Sequence, residues 1–192
     1  MSLTTRANVK AFKNIATADT AHDAEIDRLI PVLGAFIARH CNRVIEQATV
    51  TEYHSTREGQ TTLRLKQYPV ASITSLYDDP DRVYGSDTLL ATTDYVLEDG
   101  NAGLVRLAGI VFGAGINNVK AVYPGGFASG SDDLKIIEEA AIELIWLTRD
   151  LGDKALLGIT SKSIADGSVT TFQRSRIDAV REILDNYRKK DH

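Results

Sequence analysis

Residues Val122–Asp150, VYPGGFASGSDDLKIIEEAAIELIWLTRD, change character halfway along. Val122, Tyr123 and Pro124 end a strand-like run, Gly125 and Gly126 follow, and after a gap of small residues the apolar positions recur at helical spacing. Ser131 is a good N-cap, and Asp132 and Asp133 suit the positive end of a helix. Leu134, Ile137, Ala141, Leu144 and Leu151 line one face of the helix predicted over 131–151. Ile136, Ile145, Trp146 and Leu147 broaden that face beyond the needs of one packing partner. Such a helix must be buried on two sides, within the fold or against a neighbouring molecule.

Upstream of the glycine pair the period is two. TVTEYHST, TTLRLKQ and VASITSLYD are rich in β-branched and aromatic residues, and REGQ and YP separate them. DYVLEDGNAGLVRLAG reads as a hairpin turning at EDGNAG, with NNVKAVYPGG as the strand after it. A small antiparallel sheet or barrel of about five to seven strands is predicted over 49–124.

Further upstream the helical period returns. Thr4 and Thr5 are candidate N-caps for a helix over 5–16 carrying Val9, Phe12 and Ile15. Asp23 is the candidate cap of a second helix over 23–46, with Ile26, Leu29, Ile30, Leu33, Ile37 and Val44 as its stripe. Pro31 predicts a kink or break in it. Downstream, residues 152–192 read as a flexible arm ending in an amphipathic helix that bears Ile177, Val180, Ile183, Leu184 and Tyr187. The fold class is α+β: N-terminal helices, a β module, a long core helix and a C-terminal arm.

Bulk properties narrow the function. With 192 residues, 43% of them hydrophobic, the chain can build one good core with an appended piece. It has no run long and apolar enough for a membrane span, and its start lacks the apolar core of a signal peptide. A net charge of −4 argues against a protein that grips phosphates. The single Cys41 excludes an internal disulfide framework and reads as a buried small hydrophobe.

No motif carries chemistry. Gly113 and Gly115 begin a dinucleotide-like pattern, but Asn118 stands where the third glycine belongs and a strand follows. Asp78, Asp79, Asp81 and Asp87 crowd one loop without calcium-loop spacing. His22, His40, His54 and His192 lack metal-site spacing, and no G-x-S-x-G elbow occurs. Glu138, Glu139 and Glu143 read as a helix's polar face, and Arg188, Lys189 and Lys190 as a basic helix end. The expectation is no enzyme, no cofactor and no metal.

The order of pieces then becomes informative. NVKAFKNI, IDRLIPVLGAFIARHCNRVIE, YPVASITSLYD, AGLVRL, NNVKAVYPGGFA and DLKIIEEAAIELIWLTRD together resemble the head-to-tail connector proteins of tailed bacteriophages, also called head completion or adaptor proteins. The Tyr68-Pro69-Val70 entry to a strand, the hairpin from Gly103 to Leu107 and the strand VKAVYPGGF running into a helix carry most of the likeness. Pro31 interrupts a helix that the resemblance expects to be continuous, and SGSDDLK lacks the proline that commonly precedes the last core helix.

The resemblance implies a connector core over 1–151 and a separate arm over 152–192. It implies a virion neck protein, made in a host bacterial cytoplasm, with about a dozen copies in a ring. Such a ring joins the portal at the capsid vertex to a stopper or tail completion protein, and DNA passes through it without sequence-specific binding. On this reading Ile136, Ile145, Trp146 and Leu147 are ring-interface candidates, and Gly125 and Gly126 are a hinge. Phe172, Ile177, Val180, Ile183, Leu184 and Tyr187 are portal-docking candidates. The residues alone also admit a monomeric β module binding a peptide or glycan, or a hydrolase using His54 with the Asp78–Asp87 loop.

Overall fold

The computed structural model of the chain describes residues 3–153 and 169–189. Its elements run α1 (Arg6–Phe12), α2 (Asp23–Cys41), β1 (Ala48–Thr56), β2 (Thr62–Arg64), β3 (Ser75–Asp78), β4 (Tyr95–Asp99), β5 (Leu104–Leu107), β6 (Gly115–Gly125), α3 (Asp132–Asp153) and α4 (Val169–Asp185). The expected α+β class is what the chain adopts. The elements divide into two compact units, a helical one made of Met1–Arg43 and Gly130–His192, and a β unit made of Val44–Ser129.

Local signals set the helix starts. The Thr5 side chain accepts from the Asn8 N–H and Ser131 Oγ from the Leu134 N–H, each satisfying a donor that a helix start leaves unpaired. His22, not Asp23, occupies the cap position of α2, and Asp23 sits in its first turn beside Arg6 and Lys10. Lys10 is 3% exposed, and its ammonium donates to the Thr17 and Asp19 carbonyls and to Asp23 Oδ1. Three donors meet three acceptors, which is what makes a buried ammonium tolerable.

α1 and α2 are shorter than predicted, ending at Phe12 and Cys41 where Lys13 and a left-handed Asn42 close them. The break expected at Pro31 is absent, and α2 runs as one helix through that exposed residue. Its buried stripe of Ile26, Leu29, Ile30, Ile37 and Cys41 outweighs the one lost backbone bond. Val9, Ile26, Leu29, Ile30, Ile142, Ile145 and Trp146 form the helical core, closed by the indole N–H of Trp146 donating to the Val9 carbonyl at 3.0 Å. α4 completes this unit: Val180 and Leu184 are buried, and the Lys189 N–H donates to the Cys41 carbonyl.

The β unit holds six strands in two three-stranded antiparallel sheets, β1-β6-β3 and β2-β5-β4, rather than one sheet or closed barrel. Leu76, Val119, Ala121 and Tyr123 from the first sheet and Leu63, Tyr95, Val105 and Leu107 from the second share one core with Phe112. Each leucine, valine or phenylalanine among them contributes about 1.5–3 kcal/mol by leaving water. The hairpin turning at EDGNAG is β4–β5.

Candidate functional site

With no chemical motif to follow, the informative surfaces are those where the fold leaves large apolar side chains in water. In the helical unit, α1 ends on Phe12, α3 exposes Ile136 in its second turn, and α4 exposes Ile183; these are 41%, 45% and 38% exposed. The three converge on one concavity of about 270 Å³, lined also by Lys135, Glu139, Ala140 and Glu143. A second concavity on the other side of Phe12 is lined by Asn8, Ala11, Glu138, Glu139 and Ile142. Carboxylates dominate the rim. Glu143 is engaged by Arg176 at 2.6 Å, Lys135 by Asp132 at 2.9 Å, and Glu138 accepts from Thr4 and Asn8.

The structure thus brings Ile136, read as a ring-interface residue, next to Ile183, read as a docking residue. It separates both from the rest of their sets. Ile145, Trp146 and Leu147 are buried, and of the four residues that widen the stripe on α3 only Ile136 is left in water. Val180 and Leu184 are likewise interior residues, and Ile177 and Tyr187 are half-buried, the Tyr187 hydroxyl donating to Asp133. Phe172 falls on α4 among residues whose side chains lie outside the described part. In the sequence Phe12 is legible only as part of a helical stripe; in the structure it is the last residue of α1 and stands exposed.

Gly125 and Gly126, read as a hinge, both lie in the β unit, where close packing leaves little room for a side chain. A Cβ on Gly125 would lie 2.9 Å from the Tyr123 ring and 3.0 Å from Gln67 Cβ. Gly126 has φ +113°, and a Cβ there would lie 2.8 Å from the Glu46 carbonyl oxygen.

Of the groups read as hydrolase candidates, Asp79 and His54 are engaged within the fold. Asp79 is 3% exposed and accepts from the backbone N–H groups of Asp81, Val83 and Tyr84. The Tyr84 N–H above all holds its carboxyl below the ordinary aspartate range, against the opposing effect of burial. His54 Nε2 lies 3.0 Å from Glu52 Oε2. Glu52 also accepts from the Tyr123 hydroxyl at 2.6 Å and from the N–H groups of Lys66 and Gln67. Burial pushes the Glu52 carboxyl up, but hydrogen bonds from His54, Tyr123 and the Lys66 backbone outweigh it and leave it below the ordinary range. Burial pushes the Cys41 thiol up to about 11, which keeps it protonated and unreactive. Among the described residues, no three His, Cys, Asp or Glu side chains are placed to hold a metal ion.

The β unit has its own surface. Tyr53, Lys120 and Tyr77 are cross-strand neighbours on β1, β6 and β3. The Asp79 turn returns Tyr84 over them, so the Lys120 ammonium lies 5.3 Å from both the Tyr77 and Tyr84 rings. This row offers an aromatic platform, but Tyr77 and Tyr84 already share the protein's own Lys120.

No curated protein sequence matches the chain. Among solved structures, a chain in the neck of an empty GTA particle, computed with C6 symmetry, is 14% identical and superposes with a TM-score of 0.60 over 97% of this chain and 89% of its own. A chain in the neck of a native GTA particle, computed with C12 symmetry, is 14% identical with a TM-score of 0.56 over 97% and 88%. A chain of the virion of a native gene transfer agent particle is 15% identical with a TM-score of 0.60 over 100% and 96%. At these identities the likeness is one of fold. The profile of the head completion protein family, in contrast, matches residues 2–190. With nearly every residue inside that match, both units and α4 included, the chain belongs to the head completion protein family.

Proposed function

We propose that the chain is a structural neck protein of a phage-like virion. Its copies form a ring at the capsid vertex that joins the portal to the tail or to the next neck protein and continues the DNA channel. The observation that carries this reading is the match to the head completion protein family over residues 2–190.

The geometry supports the same reading. Phe12, Ile136 and Ile183 leave an apolar concavity in water that suits a protein partner, and the buried Glu52 and Asp79 carboxylates are engaged within the fold. Neck chains of the same fold occur in particles reconstructed with C6 and C12 symmetry, which suits a ring of about a dozen copies here. A net charge of −4 suits a channel through which DNA must slide, because like charge avoids trapping the polymer.

Portal attachment through α4 would use exposed positions such as Asp178, Arg181 and Glu182, since Val180 and Leu184 are needed inside the helical unit. Deleting α4 would therefore confuse lost attachment with lost folding. The direct test mixes the full chain with portal rings from the same genome and images the mixture by electron microscopy. A ring of added density on the outer end of the portal is expected. Bare portals beside free monomers, at concentrations well above micromolar, would overturn the reading in favour of a monomeric binding module.

A further inference from the structure

Residues 107–119, LAGIVFGAGINNV, contain no charged side chain, and most of this run lies outside any strand. A loop of that composition would normally be folded inward. Here Phe112 does turn inward and is 1% exposed, while Ile110, Val111 and Ile116 stand 40%, 54% and 75% exposed.

The loop is held in that shape. The Phe112 N–H donates to the Gln60 carbonyl at 2.9 Å and the Gly113 N–H to Asp78 Oδ2 at 2.6 Å. The Gly113 carbonyl accepts from Thr56 Oγ1 and from the Asn118 amide, which is itself fully buried. The protein therefore presents a pre-organised apolar knob, and a partner that covers it bears little ordering cost. Beside it runs the turn that carries Arg57, exposed and without a side-chain partner among the described residues.

The concavity between Phe12, Ile136 and Ile183 is the complementary feature. At about 270 Å³ it is smaller than most small-molecule sites and suits a pair of aliphatic side chains. Of its rim charges, Glu143 and Lys135 are paired within the chain, and Glu139 has no partner among the described residues.

The geometry points to a heterologous contact in which Ile110 and Val111 of one copy seat between Phe12, Ile136 and Ile183 of the next, with Arg57 facing Glu139. A ring requires two different patches on each subunit, one to give and one to receive. A knob and a groove of matching character and opposite unpaired charge meet that requirement. The inference rests on the ring assembly proposed above and names the surfaces that make it.

The test uses Ile136→Cys with Val111→Cys in the full chain, assembled on portal rings and oxidised. The native Cys41 is buried and does not compete. Non-reducing electrophoresis should show a ladder of covalent multimers beyond the dimer for the double variant and none for either single one. Rings by microscopy without a ladder would overturn this contact and leave ring assembly standing; no rings from the unmodified chain would overturn both. As a second measurement, Arg57→Glu and Glu139→Arg should each weaken association about fivefold, and together restore it. A double variant as weak as the singles would also overturn the pairing.

Discussion

Glu52 is the residue on which the β unit's polar interior converges. It is 7% exposed, and its carboxylate accepts from a tyrosine hydroxyl, two backbone N–H groups and a histidine ring. Because its folded-state pKa lies below the ordinary value, unfolded chains bind its proton at a higher pH than folded ones. The stabilisation is complete above the unfolded value, about pH 4.3, and is lost as the pH falls through the folded one. Glu52→Gln should therefore cost about 1–3 kcal/mol at pH 7, with the gap to the parent narrowing towards pH 3 in urea titrations. A gap that stays constant with pH would show that the carboxylate charge is not what stabilises the unit. Removing the Tyr123 hydroxyl would strip the same network from the other side, and the high pKa of that phenol has the same origin in burial and the Glu52 contact.

At the scale of elements, what the sequence made legible was local. Thr5 and Ser131 read correctly as caps because a cap needs only its own next turn. The double-width stripe on α3 read correctly as burial beyond one packing partner: Ile145, Trp146 and Leu147 are buried, while Ile136 stays in water. Of the kink or break that Pro31 suggested, the break does not occur, because packing spread along α2 overrides the local rule. That proline is exposed, so its cost is not offset by contacts of its own ring. Pro31→Ala should raise the stability of the helical unit by about 1–3 kcal/mol, read as a higher midpoint in thermal melts. An unchanged midpoint would mean that α2 had already absorbed the missing bond.

At the scale of the whole molecule, the sequence could not show which distant pieces meet. The division of six strands into two sheets depends on registers such as Tyr53 with Lys120 and Leu63 with Val105, which no local pattern encodes. Phe12, Ile136 and Ile183 come from three separate stretches and become one surface only through α1, α3 and α4. The β unit, by contrast, is one continuous segment with its own core. Residues 44–129 expressed alone should fold, giving a cooperative urea transition and dispersed amide resonances. A collapsed spectrum without a transition would show that its core needs the helical unit.

The β unit interrupts a helical unit whose chain leaves at Arg43 and resumes at Gly130. During synthesis, therefore, α1 and α2 wait for partners while the intervening segment is made. The Phe12, Ile136 and Ile183 surface closes only once α4 has emerged from the ribosome. A prematurely terminated copy would retain the knob but lack a complete groove, so it could add to one side of a neighbour and accept nothing in return. With the contact proposed above, a closed ring needs α4 from every subunit, and only a chain translated through Ile183 can supply it.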